Sequence, residues 1–271
     1  MTRFRFGKNW KKFVGAIDNN RIDRAKGSMI ALLGDAALKN KDFLDAGAGS
    51  GLFSLAACLF GARVHSFDYD SESVECVKYL KNKYAPSAKD WKIEKGDILD
   101  ADYVASLGTF DIVYSWGVLH HTGDMWQACD NAAKLVKPGG LLYIALYNDQ
   151  GYASEAWRGI KFFYNWLPDV LKLIVLAPVF IRLWLFSCVK DVLKCRPFYT
   201  WKSYKNTPRG MDPWRDVIDW VGGYPFEVAS PGEVINFFRA RGFCEKRVVT
   251  CGKGYGCNEF VFKKEWKVCA E

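Results

Sequence analysis

The segment Phe43–Gly51, FLDAGAGSG, constrains this chain most, because three glycines at alternate positions follow an apolar run that ends in an aspartate. Asp42 to Asp45 reads as a short buried strand, and Leu52 to Phe60 as a helix rich in Leu and Ala. Strand, glycine turn and helix make the first half of a βαβ unit, whose ligand lies beyond the carboxyl end of the strand. Gly47, Gly49 and Gly51 permit a tight turn and put no Cβ between backbone and ligand. Their spacing, G-x-G-x-G, differs from the dinucleotide fingerprint G-x-G-x-x-G. The turn alone suits any nucleoside-bearing ligand, so its meaning depends on the residues at fixed distances downstream of it.

Ala62–Asp68 reads as a second strand ending in an acid. A carboxylate at that tip can accept both hydroxyls of a ribose. Helix capping is the competing use, but Asp70 and Ser71 suit it better, ahead of a helix expected over Glu72–Asn82. A third strand, Trp91–Glu94, leads to Lys95–Leu99, with Asp97 and Ile98 within it. The fourth strand, Phe110–Ser115, is followed by WGVLHHTGD over Trp116–Asp124. Then come a helix over 125–136, a turn at Lys137–Gly140 and an apolar strand, Leu141–Tyr147.

Taken in order, the glycine motif, FDIV, LHH, KPGG and the final apolar strand resemble the class I S-adenosylmethionine (SAM)-dependent methyltransferases over residues 43–147. The resemblance implies an α/β fold, with a doubly wound, seven-stranded, mostly parallel sheet whose last strand is antiparallel, and S-adenosyl-L-methionine as cofactor. Its site would draw on Asp45, Gly47, Ala48, Gly49 and Gly51, on Asp68 and Tyr69, and on Ser115 and Trp116. Asp97 would bond the adenine amino group and Ile98 would pack on the ring, unless Asp97 is simply a solvated loop acid.

The remaining segments divide around that core. The expected last helix is Gly232–Arg241, followed by strands Cys244–Cys251 and Asn258–Lys264 around a glycine-containing turn, a hairpin signature. The expected organisation is therefore an N-terminal helical cap (1–42), a SAM-binding domain (43–148 with 230–271) and a helical lid inserted between strands five and six (149–229). Within the cap, a helix is expected over Arg21–Leu33, and Trp10 and Asn9 are candidates to cover the methionine end of the cofactor. A surface helix on the sheet edge is the alternative.

The lid is unusual. Residues 152–204 carry 13 aromatics, and residues 151–210 hold ten Lys and Arg against three Asp and Glu. That block accounts for +7 of the chain's net +8, pointing to an anionic surface or ligand. Leu173–Val189 is apolar all round except at Arg182 and Ser187, as expected of a helix buried in protein or lipid. Lys172, Pro178 and Arg182 make it a poor membrane span. Three placements stay open: a buried lid helix, an oligomer interface, or attachment of residues 170–205 to an anionic membrane surface. Lys190, Lys194, Arg196, Lys202 and Lys205 follow the apolar run, as interfacial attachment would require.

Methyl transfer needs alignment of two reactants, worth roughly 7–11 kcal/mol, and a base when the nucleophile carries a proton. Of three histidines, His65 lies within the second strand, whereas His120 and His121 stand at the ligand end of the fourth. Adjacent residues point in different directions, so one can face the site while the other supports the loop. His121 is the preferred base and His120 the second choice; a merely orienting imidazole is the alternative. No metal is expected. Tyr147, Asn148, Arg209 and Tyr224 are candidate acceptor contacts. Arg209 could grip a carboxylate or phosphate, or instead form a salt bridge to Asp219 or Glu227.

The expected function is methylation of an O or N nucleophile on a small or amphipathic acceptor. Its rivals are an RNA methyltransferase that stacks bases on the lid aromatics, an NAD-linked oxidoreductase, disfavoured by the glycine spacing, and a non-catalytic binding protein with the same fold. Nine cysteines without C-x-x-C pairs read as reduced thiols. No apolar run follows the basic Met1–Arg5. The expectation is a cytoplasmic protein, with peripheral membrane attachment left open.

Overall fold

Five strands line up in parallel because the chain between them returns each time over a face of the sheet. They are β1 (Asp42–Ala46), β2 (Arg63–Asp68), β3 (Trp91–Lys95), β4 (Phe110–Trp116) and β5 (Val136–Tyr147). A hairpin of β6 (Phe243–Val249) and β7 (Cys257–Lys264) completes a seven-stranded sheet in the order β3-β2-β1-β4-β5-β7-β6. Only β7 runs antiparallel to its two neighbours. The strand order reverses between β1 and β4, so the ligand crevice opens at their carboxyl ends. This is the class I methyltransferase architecture. The computed structural model describes residues 4, 6–34, 38–204, 213–252, 254 and 256–266.

Period-two alternation assigns each strand residue to one of two cores. Phe43, Ile112, Tyr114 and Tyr143 face a core shared with α1 (Gly7–Val14), α2 (Asn19–Leu33), α3 (Leu52–Leu59) and α4 (Ser71–Tyr84). Leu44, Val113, Leu142 and Ile144 face the other, shared with α5 (Ala101–Ser106), α6 (Met125–Lys134) and α11 (Pro231–Arg239). Ser230 caps α11 in a reciprocal capping box with Glu233.

Two local features differ from expectation. Lys137–Gly140 is not a turn before β5 but a bulge inside it: Phe110 pairs with Val136 and Ile112 with Leu141, leaving the intervening residues looped out. Lys137 Nζ pins the bulge by bonding Asp42 at 2.6 Å and Asp111 at 3.1 Å. Ahead of α2, which Asp18 caps, the chain forms an additional helix, α1, over the segment containing Asn9 and Trp10.

Between β5 and β6 stand α7 (Tyr152–Trp166), α8 (Lys172–Leu193), α9 (Tyr199–Ser203) and α10 (Pro213–Gly222). They have their own core of Trp157, Tyr164, Leu176, Val179, Trp184, Val217, Val221 and Phe226. Although α8 is apolar all round in sequence, it packs on one side only: Leu176, Val179 and Trp184 are buried, while Ile174, Ile181 and Leu185 are exposed. Arg209 and Lys205 lie outside the described residues.

Candidate active site

At the end of β1 the chain must turn at once to start α3, and glycine is required there. Gly47 has φ +83°, and a Cβ on it would lie 2.4 Å from Val118 Cγ1. The Gly47 and Ala48 N–H groups donate to the Phe67 carbonyl at 2.9 and 3.0 Å, holding the loop against β2. Asp68, at the tip of β2, accepts Gly49 N–H at 2.8 Å on Oδ2 and Asp70 N–H at 2.8 Å on Oδ1. Asp70, not Asp68, caps α4 by accepting Glu72 N–H. It also accepts Gly7 N–H at 3.0 Å, which ties α1 to the same corner. That tether sets Trp10 over the glycine loop, with its indole 3.1 Å from where a Gly49 Cβ would be.

Asp45 is buried and held by a one-way chain of donors. Trp91 Nε1–H donates to Ser66 Oγ at 2.9 Å, Ser66 to Ser54 at 2.8 Å, and Ser54 to Asp45 Oδ2 at 2.5 Å. Every hydroxyl is oriented toward the carboxyl, an arrangement that polarises along its length. Burial nevertheless pushes the Asp45 pKa up to about 7 and that of Asp68 up to about 6, despite the hydrogen bonds that oppose the shift.

Both aspartates line a cavity of about 710 Å³ together with Gly47, Ala48, Gly49, Tyr69, Asp97, Ile98, Trp10 and Trp116. The residues fit SAM on two observations. A glycine cradle stands where a Cβ would collide, and a buried carboxyl disfavours its own charge until a cation such as an amino-acid ammonium or sulfonium is set beside it.

A pH dependence arises from the two raised values. Between about pH 4 and 7 these carboxyls bind more protons in the folded chain than in the unfolded one, so they lower stability as pH rises across that window. A cationic ligand favours the ionised forms. SAM affinity should therefore rise about tenfold from pH 6 to pH 8, with proton release on binding. Calorimetry in buffers of different ionisation enthalpy checks this; a flat profile without proton release would exclude Asp45 and Asp68 as cofactor contacts.

The cavity continues past the cofactor crevice across β4, β5 and β7, under the lid. His121 lines this end from the turn after β4, Tyr147, Tyr143 and Glu259 from the sheet, Trp184, Tyr204, Asp219 and Trp220 from the lid, and Phe4 and Phe6 from the N-terminal segment. The two histidines sit in one 3₁₀ turn, Leu119–His121, and have different surroundings. His120 is fully buried, 3.9 Å from the Tyr147 ring, and does not line the cavity. Its Nδ1 accepts Tyr147 N–H at 3.3 Å. Burial, with His121 and Lys161 close by, holds its pKa well below the usual imidazole range. His121 faces the cavity, and its Nδ1 lies 2.6 Å from the Pro225 carbonyl. A carbonyl only accepts, so Nδ1 carries the proton, and Nε2 of the neutral ring bears the lone pair.

Other sequence candidates fall outside this constellation. Ser115 is buried and donates to the Ala46 carbonyl at 2.8 Å, joining β4 to β1. Gly51 starts α3 behind the loop, where a Cβ would press on Val77. Asn148 bonds the Gly252 carbonyl and Asn258 beside β7. Tyr224 packs against Phe162, and its carbonyl accepts Phe4 N–H at 2.9 Å. Among the described residues, no group of three or more His, Cys, Asp or Glu could hold a metal ion.

Sequence reading missed three features. Glu259 accepts both Trp116 Nε1–H (3.1 Å) and Tyr143 O–H (2.8 Å), fixing two ring edges of the cavity floor; an acid within the apolar run NEFVF was its only signal. Phe6 packs against His121 at 5.0 Å and helps close the N-terminal segment onto the lid; Asn9, expected at the methionine end, is not among the cavity-lining residues and donates its Nδ2–H to Asp219 at 2.6 Å. Lys161 is fully buried behind Tyr147, bonded to the Trp220 carbonyl and 4.3 Å from the Trp220 ring. Burial pushes its pKa down to about 7.

Comparison with known proteins agrees with the fold and the loop. A methyltransferase-domain family model matches residues 44–144. The ubiquinone biosynthesis O-methyltransferase of Pelagibacter ubique is 29% identical over 136 residues, which cover 49% of this chain and 54% of that protein. Its namesake from Rhizobium rhizogenes is 34% identical over 128 residues, covering 46% and 49%. The chain thus spans about half the length of the curated relatives it matches. Among solved structures, magnesium protoporphyrin IX methyltransferase from Synechocystis with bound S-adenosylhomocysteine (SAH) superposes with a TM-score of 0.54 at 14% identity, over 91% of this chain and 83% of that one. The YcgJ protein from Bacillus subtilis does so with a TM-score of 0.53 at 12% identity, over 90% and 99%. The sheet order and glycine loop define a class I methyltransferase fold. With the domain match, residues 44–144 carry a methyltransferase domain on that fold, and SAM is the cofactor such a domain takes.

Proposed function

We propose that this protein transfers the methyl group of SAM to an oxygen nucleophile on an amphipathic acceptor, with His121 as the base. The carrying observation is one continuous cavity that runs from the glycine loop and Asp68 to His121 and on beneath an aromatic lid. When bound, SAM supplies a methyl group on a positively charged sulfonium, open to displacement. His121 Nε2 takes the proton of the acceptor hydroxyl, and the Pro225 carbonyl, holding Nδ1–H, stabilises the ring as it becomes charged. Trp116 and Tyr143, both anchored by Glu259, with Tyr147 and Trp220 offer ring faces and edges to a flat apolar acceptor. The N-terminal strap and the lid keep water out. The names of the curated relatives favour oxygen over nitrogen as the methylated atom.

RNA is the second reading, supported by the lid's net positive charge and by Trp184 and Tyr204 in the cavity wall. Against it, most lid aromatics pack on each other and on Leu and Val in the lid core rather than forming an open stacking platform. Incubation with methyl-labelled SAM and either total lipid extract or total RNA separates the two.

A further inference from the structure

We propose that the exposed side of α8 is a docking surface for an anionic lipid membrane, on which the lid lies flat without crossing it. Ile174, Ile181, Leu185, Val189 and Val192 form one stripe at helical spacing, between 47% and 65% exposed. Trp166, at the end of α7, adds a 71% exposed indole. Such a continuous apolar surface is costly in water. By length and hydropathy, Asp169–Leu193 could cross a membrane, with a mean hydropathy of 2.0 over its most apolar window. Its inner side argues for lying on the surface instead. Leu176, Val179 and Trp184 are built into the lid core. Asp191 is buried and accepts Thr200 N–H and Thr200 Oγ–H, each at 2.7 Å. Insertion across a bilayer would strip away these partners and carry a carboxylate into hydrocarbon.

Charge selects the occupant. Residues 169–204 hold six Lys and Arg against two Asp. Arg182, Lys190, Lys194, Arg196 and Lys202 are all exposed, whereas one of the two acids is the inward-facing Asp191. Apolar stripe plus cations is the pattern of a helix resting at the boundary of headgroups and acyl chains. A second copy of this chain would cover the stripe too, but it would bring a second set of the same cations against the first. The inner side of α8 contributes Leu183, Trp184 and Ser187 to the cavity wall, so docking would set the acceptor pocket beside the lipid phase. This link to acceptor delivery rests on the methyl-transfer reading; the docking itself does not.

Vesicle sedimentation of the full chain, without SAM or acceptor, tests the docking independently of any activity. The protein should partition onto vesicles containing phosphatidylglycerol at low salt, less onto pure phosphatidylcholine, and progressively less as salt rises. The double variant Ile181→Glu/Leu185→Glu should bind roughly tenfold less tightly, yet still be stabilised by SAH in thermal melts. Lys190→Glu/Lys194→Glu should lose at least about fivefold per cation on anionic vesicles only. Wild-type protein that stays in the supernatant with anionic vesicles at low salt would overturn the proposal. So would undiminished binding by the Ile181→Glu/Leu185→Glu variant. A dimer that this variant dissociates, with vesicles left bare, would assign the surface to a second copy instead.

Discussion

Replacing His121 with alanine should lower kcat by about 10²–10⁴-fold and leave SAM affinity nearly unchanged. The ring faces the acceptor end of the cavity, beyond the glycine loop, and Pro225 fixes its tautomer. At saturating SAM, the wild-type rate should rise with pH as the imidazolium gives up its proton, and the variant should lose that limb. His121→Gln separates base from positioning group: it can still hydrogen-bond an acceptor but cannot take its proton, so it should rescue little. His120→Ala should act mainly through stability, since that ring is sealed in the core against Tyr147. Near-normal turnover in His121→Ala would remove the histidine base from the mechanism and leave the fold and cofactor site untouched.

Asp68→Ala should weaken SAM binding by about 1–3 kcal/mol, roughly 5- to 150-fold, measured by calorimetry. Two contributions combine. Charge-assisted bonds to the ribose hydroxyls are lost. The Gly49 and Asp70 N–H groups also lose their acceptor, so the loop is no longer held in its binding shape. Asp68→Asn should not restore affinity, because whichever way the amide turns, its NH₂ meets one of those two donors. Affinity within twofold of wild type in both variants would place the ribose elsewhere.

Most of the glycine-loop end of the cavity was legible because it is local in sequence, although Gly51 and Ser115, expected there, stand outside it. A glycine turn, the acid at each strand tip and the apolar residue after it depend only on strand ends and the short loops beyond them, which chain order sets. Asp70 as the α4 cap was legible for the same reason. The acceptor half was legible only in part: His121 and Tyr147 were expected there and line the cavity, but what holds them was not. His120 and His121 are neighbours in a single 3₁₀ turn, and only the packing of Tyr147 and Pro225 decides which is sealed and which faces the cavity. Glu259 reaches the site through the antiparallel insertion of β7 beside β5, a pairing between residues more than a hundred positions apart. Phe6 enters by a strap that folds back over the lid and is tied there by Asn9. In α8, composition announced an apolar element, but its one-sided burial follows from tertiary contacts that periodicity could not reveal, because every face was apolar.

The central claim, oxygen-directed methyl transfer to an amphipathic acceptor, is tested most directly by following the label from methyl-labelled SAM in the presence of total lipid extract. Label should appear in the organic phase, released by hydriodic acid as methyl iodide, as an aryl or alkyl methyl ether requires, and almost none should appear with His121→Ala. Label confined to the RNA or protein fraction, or organic-phase label that resists ether cleavage, would contradict it.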